Sequence, residues 1–137
     1  MKKLYVVGAV VFLVVLAVGV SFWIGYSDMM FTLKHDTNRW AAIVDREGSQ
    51  MAVEPASDEV WERLTELCQN KSIRFVGGIV ERYENKWSFR FTPENVTIAE
   101  FTAEGLQASI RYISENLEYW LGGWAYVSAT VAEAHST

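Results

Sequence analysis

The chain has 137 residues, 12 of them basic and 17 acidic, which gives a formal net charge of −5 at pH 7. This acidic balance argues against nucleic acid or an anionic lipid surface as a partner. A single cysteine excludes an internal disulfide, and one cysteine with two histidines is too few for a usual zinc site within one chain. We therefore expect no cofactor and no metal ion.

Residues 4–26 are a run of uncharged, mostly apolar side chains. As a helix this run would measure roughly 35 Å, against a bilayer core of about 30 Å. It predicts a membrane anchor over residues 1–26, which leaves residues 27–137 as one extracytoplasmic domain. Lys2 and Lys3 precede the run and predict a cytoplasmic N-terminus. Small residues are predicted to pack this helix against another membrane helix, namely Gly8, Ala9, Ala17 and Gly19.

A cleaved signal peptide is the alternative interpretation of the same run. Signal peptides have an apolar stretch of about 7–15 residues that ends in a small-x-small cleavage site. Here the stretch is longer, and its end carries the bulky pair Phe22 and Trp23. These features favour an anchor that is retained.

The first part of the domain has short patterns. Residues 30–36 alternate between apolar and polar side chains, which predicts a half-exposed strand. Capping side chains at residues 36–38 precede an apolar run at residues 40–44, which predicts a short helix. Residues 45–57 are polar and contain a glycine and a proline, so we expect a loop there.

The next segment predicts an amphipathic helix. Ser57 can cap its start, and Asn70 can end it. Val60, Trp61, Leu64, Leu67 and Cys68 form one apolar stripe at helical spacing. The Cys68 thiol on this stripe is predicted to be buried and inert.

The second half of the domain predicts a hairpin, a further strand, a helix and a last strand. Residues 73–82 are apolar on both faces and residues 87–91 alternate, as expected for paired strands. The glycine pair Gly77-Gly78 indicates a bulge or a close backbone approach. A third strand follows residue 95, with a bulge near Ala99.

A helix is predicted to begin between residues 102 and 109 and to end at residue 122, before a strand at residues 124–131. The predicted fold class is therefore α+β: a single N-terminal transmembrane helix followed by a small antiparallel sheet with two packed helices.

Several short motifs lie in this second half. The most specific is Trp87-Ser88-Phe89 followed by Pro93; the others are Gly78-Ile79-Val80, Glu104, Ala108-Ser109, Tyr112-Ile113, Glu115, Leu117 and Gly122-Gly123. Through these motifs, residues 73–123 resemble the BP-seventy-four N-terminal domain family. The resemblance implies a compact α+β domain, often exported, and no particular reaction.

The chain departs from the family pattern at three places. Arg90 stands where the pattern has His, Thr92 where it has Asp, and the pair Leu106-Gln107 where it has Cys-Asp. If those residues form a polar site in relatives, this chain has lost or rebuilt it.

Arg90 is the main candidate for chemistry, because it interrupts a strand of aromatic residues. Glu81, Glu100 and Glu104 lie on neighbouring predicted elements, so Arg90 with carboxylates predicts either a ligand clamp or a solvated cross-strand ion pair. The dipeptide His35-Asp36 resembles a metal-hydrolase motif, but the sequence has no second His-rich motif, and a surface histidine is favoured.

The aromatic residues have two interpretations. Core packing explains most of them, and the other interpretation is a stacking platform for a sugar or a partner protein. The residues concerned are Tyr83, Trp87, Tyr119, Trp120, Trp124 and Tyr126. Asn70 and Asn95 each begin an N-x-[ST] sequon and are candidate glycosylation sites.

The sequence thus predicts a non-catalytic, membrane-anchored extracytoplasmic binding or accessory subunit that packs on a partner protein. Its expected partners are membrane lipid and another membrane protein or a second copy. The predicted binding residues are Arg90, Glu104, Glu81, Trp87, Trp120 and Trp124. One alternative is a surface filament or adhesion subunit, and another is an enzyme with a site around Arg90 and Glu104.

Overall fold

The structure is a computed structural model, and the residues it describes are 30–103 and 105–136. The predicted helix over residues 4–26, with Gly8, Ala9, Ala17 and Gly19, lies outside this range, and so does Glu104. The chain divides into two compact units, Met1–Phe31 and Thr32–Thr137. All of the strands described below lie in the second unit.

Among the described residues, six antiparallel strands form one sheet. They are β1 (Arg39–Asp45), β2 (Gln50–Val53), β3 (Arg74–Arg82), β4 (Phe89–Phe91), β5 (Thr97–Ala99) and β6 (Trp124–Ser136). The strand order is β2-β1-β6-β3-β4, and β5 pairs with β3 beside β4. The long strand β6 is central, because β1 pairs with its second half and β3 with its first half.

The sheet is nearly closed on itself. The edge strands β2 and β4 come into contact, although no ladder joins them. Trp87, in the turn before β4, donates its indole N–H to the Gln50 carbonyl oxygen at 2.7 Å. In an open sheet these two edges would be exposed and could pair with other chains; here they contact each other.

Besides the helical residues 30–32, the described chain has the helices α1 (Asp58–Asn70), α2 (Ile110–Glu115) and α3 (Leu117–Trp120), with a 3₁₀ turn at Pro93–Asn95. Ser57 caps α1 by accepting from Val60 N, and Ser109 caps α2 by accepting from Tyr112 N. Helix α1 packs against β6 and β5 and buries Leu64 and Leu67 in the core.

Close backbone packing explains the glycine pair in β3. A Cβ added at Gly77 would lie 2.1 Å from the Ala125 carbonyl oxygen, and one at Gly78 would lie 2.9 Å from the Asn95 carbonyl oxygen. A side chain fits at neither position without a backbone shift. The predicted close approach is thus confirmed.

Several element predictions are confirmed. Helix α1 begins and ends where the caps indicated, the β3–β4 hairpin forms, and β6 follows the second glycine pair. The predicted helix that ends at residue 122 is present as α2 and α3, which are separated at Asn116. Cys68 is half-buried, and its thiol lies 3.8 Å from the Ala132 carbonyl oxygen.

Other element predictions are wrong. Residues 30–32 are helical, so the predicted strand at residues 30–36 is absent, and β1 replaces the helix predicted at residues 40–44. The predicted loop at residues 45–57 contains β2. The helix prediction failed because β1 is covered on both faces. Its consecutive residues Ala41, Ala42 and Ile43 are therefore all buried. A short apolar run of this kind has no period that separates a strand from a helix.

The predicted fold class was wrong. The described chain is mostly sheet, nearly closed and accompanied by short helices, instead of a small sheet with two packed helices behind a transmembrane helix. Across residues 30–103 and 105–136, no helix combines the length and apolar character that crossing a membrane requires. The predicted single-pass membrane helix therefore has no support within these ranges.

Candidate functional site

Arg90 lies at the centre of a cluster of charged and aromatic side chains, here called the Arg90 cluster. Its members are Asp36, Glu54, Glu81, Tyr83 and Arg90. Arg90 sits in the middle of β4, between Phe89 and Phe91, whose side chains are buried in the core. Because neighbouring strand residues point to opposite faces, the guanidinium lies on the outer face of the sheet.

Three carboxylates surround this guanidinium. Arg90 Nε donates to Glu81 Oε1 at 2.6 Å, and Glu81 is also its register partner on β3. Arg90 Nη1 lies 3.3 Å from both Glu54 Oε1 and Asp36 Oδ2. The Arg90 side chain is only 18% exposed, so these charge-assisted bonds are partly shielded from water.

Glu54 links the cluster to the backbone. It follows β2 directly, and its side chain is 2% exposed. Its Oε2 accepts from the backbone N–H groups of Asp36 and Thr37, both at 2.9 Å. The buried carboxylate is therefore satisfied by one cation and two N–H donors, and it fixes the segment that leads into β1.

Tyr83 provides the aromatic part of the cluster. The Arg90 guanidinium lies 4.4 Å from its ring centroid, and Lys34 Nζ lies 5.8 Å from it. The hydroxyl is buried beside Asp36 but makes no hydrogen bond of normal geometry to any described residue. Burial, then the Asp36 side chain and the charge of Glu54, raises the pKa of Tyr83 above its ordinary value.

The cluster holds Arg90 in its charged form. Burial lowers the pKa of Arg90, but the hydrogen bond to Glu81 and the charge of Glu54 outweigh burial, and the net shift is upward. Among the described residues, the polar contacts of this guanidinium are all with side chains of the same domain. The geometry is that of an internal ion-pair network at the place where β2 meets β4.

The other predicted binding residues lie apart from this cluster. Trp87 and Trp120 are buried, as the core interpretation expected, and Trp124 is partly exposed and stacks on Tyr126 with ring centroids 6.3 Å apart. Glu104 lies outside the described residues. Of the described members of the predicted set, the structure brings only Glu81 to Arg90.

An open groove lies elsewhere on the same domain, between the β1–β2 turn and helices α2 and α3. Its inner section has a volume of about 370 Å³, and the outer section that continues it about 780 Å³. The two sections share Glu47, Gly105, Gln107, Ala108 and Ser109. The inner section reaches Ser128 on β6, and the outer section reaches Tyr119 and Trp120.

Asp45 fixes the inner end of the groove. Its Oδ1 accepts from the backbone N–H groups of Glu47 and Ser49, at 3.0 and 2.9 Å. Its Oδ2 accepts from Ile110 N at 3.0 Å, at the start of α2. One buried carboxylate thus holds both the β1–β2 turn and α2 in place, which makes the groove a preformed feature.

The outer section carries two exposed tyrosines on a buried tryptophan. Tyr112 is 53% exposed and Tyr119 is 78% exposed, whereas Trp120 is 5% exposed. The Trp120 ring contacts both tyrosine rings edge to face, with centroids 6.4 and 5.2 Å apart. Packing on a fixed ring restricts the two tyrosines before any ligand arrives.

The described residues contain no cluster that could hold a metal ion. No group of three or more His, Cys, Asp or Glu side chains in residues 30–103 and 105–136 has suitable geometry. The two histidines instead stack on one aromatic ring: His35 and His135 lie 4.6 and 4.5 Å from Trp40, centroid to centroid. His35 is exposed, but it precedes β1 instead of lying in a strand.

Sequence reasoning did not place Asp36 or Glu54 beside Arg90 and did not predict the groove. Glu54 and Arg90 are far apart in the chain and meet because the sheet curls, so no local pattern could have paired them. The pairing of Tyr112 with Tyr119 on one surface could have been predicted, because residues seven apart lie on the same face of a helix.

Comparison with known proteins gives one family. Residues 37–134 match the family model described as the BP-seventy-four N-terminal domain, which extends the predicted resemblance in both directions. The chain matches no curated protein and no solved structure. The matched range includes every residue that lines the groove.

Proposed function

We propose that this chain, which belongs to the BP-seventy-four N-terminal domain family, is a non-catalytic binding domain that packs on a partner protein through the groove. The observation that carries the proposal is the pair of exposed tyrosines, Tyr112 and Tyr119, held against Trp120. Soluble domains bury most of their large aromatic rings, so exposed rings with a fixed orientation mark an interaction surface.

The rigidity of the two tyrosines lowers the free-energy cost of binding a partner. Interfaces are dominated by a few residues, with tyrosine and tryptophan enriched among them, and each such residue costs about 2 kcal/mol or more when truncated. Part of the cost of binding is the ordering of side chains at about 0.5–1.5 kcal/mol each. The contacts with Trp120 reduce that cost for Tyr112 and Tyr119.

Polar groups beside the rings support the same proposal. Glu47 and Gln107 line both sections of the groove, and both are exposed. Their side chains enter no hydrogen bond with the described part of the chain. A partner can therefore pair with them without breaking an internal contact, as the polar rim of an interface requires.

Binding through the groove is tested by variants that remove the rings. The tagged full chain is cross-linked in its native cells, and the partner protein recovered per mole of chain is quantified. We expect Tyr112→Ala with Tyr119→Ala to reduce recovery at least tenfold, because two interface anchors are lost. Phe101→Ala is the matched control, since this ring is 86% exposed and does not line the groove.

Two outcomes would contradict the proposal. Equal recovery from wild type and the double tyrosine variant would place binding elsewhere, and an equal loss in Phe101→Ala would show a general effect of exposed rings. Size analysis of the recovered complex identifies the partner as a second copy of this chain or a different protein.

A further inference from the structure

We infer that Asn70 is an N-glycosylation site of the folded domain and that Asn95, in the second sequon, is not. Both asparagines begin an N-x-[ST] sequon, so the sequence alone does not distinguish them as glycosylation sites. Their structural surroundings differ in exposure, in hydrogen bonding and in the state of the sequon hydroxyl. The inference is independent of the groove, because no groove-lining residue belongs to α1.

Asn70 is presented to solvent. It is the last residue of α1, it is exposed, and its side chain makes no hydrogen bond within the described residues. Lys71 follows in the left-handed region at φ 54°, which turns the chain directly after the helix. The sequon therefore lies in a surface turn whose asparagine amide and serine hydroxyl are both free of partners among the described residues.

Asn95 is bound into the fold. Its Nδ2 donates to Thr92 Oγ1 at 2.9 Å, and its carbonyl oxygen accepts from Thr97 Oγ1, the hydroxyl of its own sequon, at 2.9 Å. The same carbonyl packs so closely on β3 that a Cβ at Gly78 would lie 2.9 Å from it. A glycan on Asn95 would have to displace contacts that hold the 3₁₀ turn against the sheet.

The modification is a group transfer with a defined donor. Asn70 Nδ2 forms a bond to the anomeric carbon of an oligosaccharide carried on a polyprenyl pyrophosphate. The bond between that carbon and the pyrophosphate oxygen breaks, the electron pair leaves with the pyrophosphate, and the amide gives up one proton to the transferase. In the folded domain, an asparagine can accept the glycan without breaking internal hydrogen bonds only if its Nδ2 and the hydroxyl two residues on are unpaired, and among the described residues Asn70 and Ser72 meet this condition.

The test uses the full chain expressed in a eukaryotic host behind a cleavable secretion leader. Only protein whose leader has been removed is analysed, since removal shows that the chain met the lumenal enzymes. We expect one glycan, detected as a gel shift that peptide N-glycosidase reverses. Asn70→Gln and Ser72→Ala should each abolish the shift, and Asn95→Gln should leave it unchanged.

Three results would overturn the inference. They are a shift that persists in Asn70→Gln, a second glycan on the wild-type chain, and processed chain that carries no glycan. Proteolytic resistance of each variant is measured in parallel, so that the Asn95→Gln result refers to folded protein.

Discussion

The Arg90 cluster and the groove contain similar kinds of side chain but use them in opposite ways. In the cluster, Arg90 finds three carboxylates and one ring, and Glu54 is buried and fully paired. In the groove, Tyr112 and Tyr119 are exposed, and the side chains of Glu47 and Gln107 have no hydrogen-bond partner in the described chain. The contrast teaches that a prominent charged residue in a sequence can be structural, whereas less conspicuous residues form the accessible surface.

The largest expected effect comes from Glu54→Ala. The substitution leaves the shielded Arg90 charge short of a partner and removes the acceptor of two N–H groups. We expect the free energy of unfolding to fall by about 3 kcal/mol in urea titration. Glu84→Ala is the control, because its exposed pair with Lys34 contributes about 0.5 kcal/mol or less. Equal losses in the two variants would contradict a structural role for the cluster.

The second prediction concerns the coupling between Arg90 and Glu54. Arg90→Ala alone leaves buried Glu54 without its cation, but the double variant leaves neither charge unpaired. The loss in the double variant should therefore be smaller than the sum of the single losses by about 1 kcal/mol or more. A double-mutant cycle from urea titrations measures this difference, and strict additivity would show that the two charges do not interact.

The third prediction concerns alkaline pH. Because the pKa of Tyr83 is raised in the folded state, the neutral phenol is stabilised below the ordinary tyrosine pKa of about 10, and this stability is lost as pH rises. Urea titrations of wild type and Tyr83→Phe at increasing alkaline pH should show a smaller decline in the variant. Near pH 7 the variant should match or slightly exceed wild type, because the hydroxyl makes no normal hydrogen bond to a described residue. If the free energy of unfolding declined equally with pH in both proteins, Tyr83 would not contribute to the pH dependence.

The smallest effect on stability is expected in the groove. Tyr119→Ala removes an exposed ring, so the free energy of unfolding should change by about 0.5 kcal/mol or less. Partner recovery should nevertheless fall in the same variant. A loss of stability comparable to that of Glu54→Ala would show that the ring is part of the core and would end the distinction between the two regions.

Local patterns predicted the elements whose signal is contained in a few residues. Ser57 marked the start of α1, and alternation in residues 87–91 marked the β3–β4 hairpin. Register on that hairpin also explains why Glu81 could be linked to Arg90 from the sequence. These features need only caps, spacing and strand parity.

The features that were not predicted correctly depend on contacts between distant parts of the chain. Residues 40–44 are apolar on both faces because β1 is covered by neighbours, and their sequence does not separate strand from helix. Glu54 and Asp36 join Arg90 only after the sheet curls until β2 reaches β4. Asp45 likewise contacts Ile110 across the fold, and this contact defines the groove.

The central claim is that the groove, and not the Arg90 cluster, contacts a partner protein. Site-specific photo-cross-linking tests it directly, with a benzoylphenylalanine in place of Tyr119 in one full-length protein and in place of Phe101 in another. After illumination in native cells, the account predicts a cross-linked partner polypeptide from position 119, and its loss when Tyr112→Ala is added. Cross-links of equal yield from positions 119 and 101, or none from position 119, would contradict it.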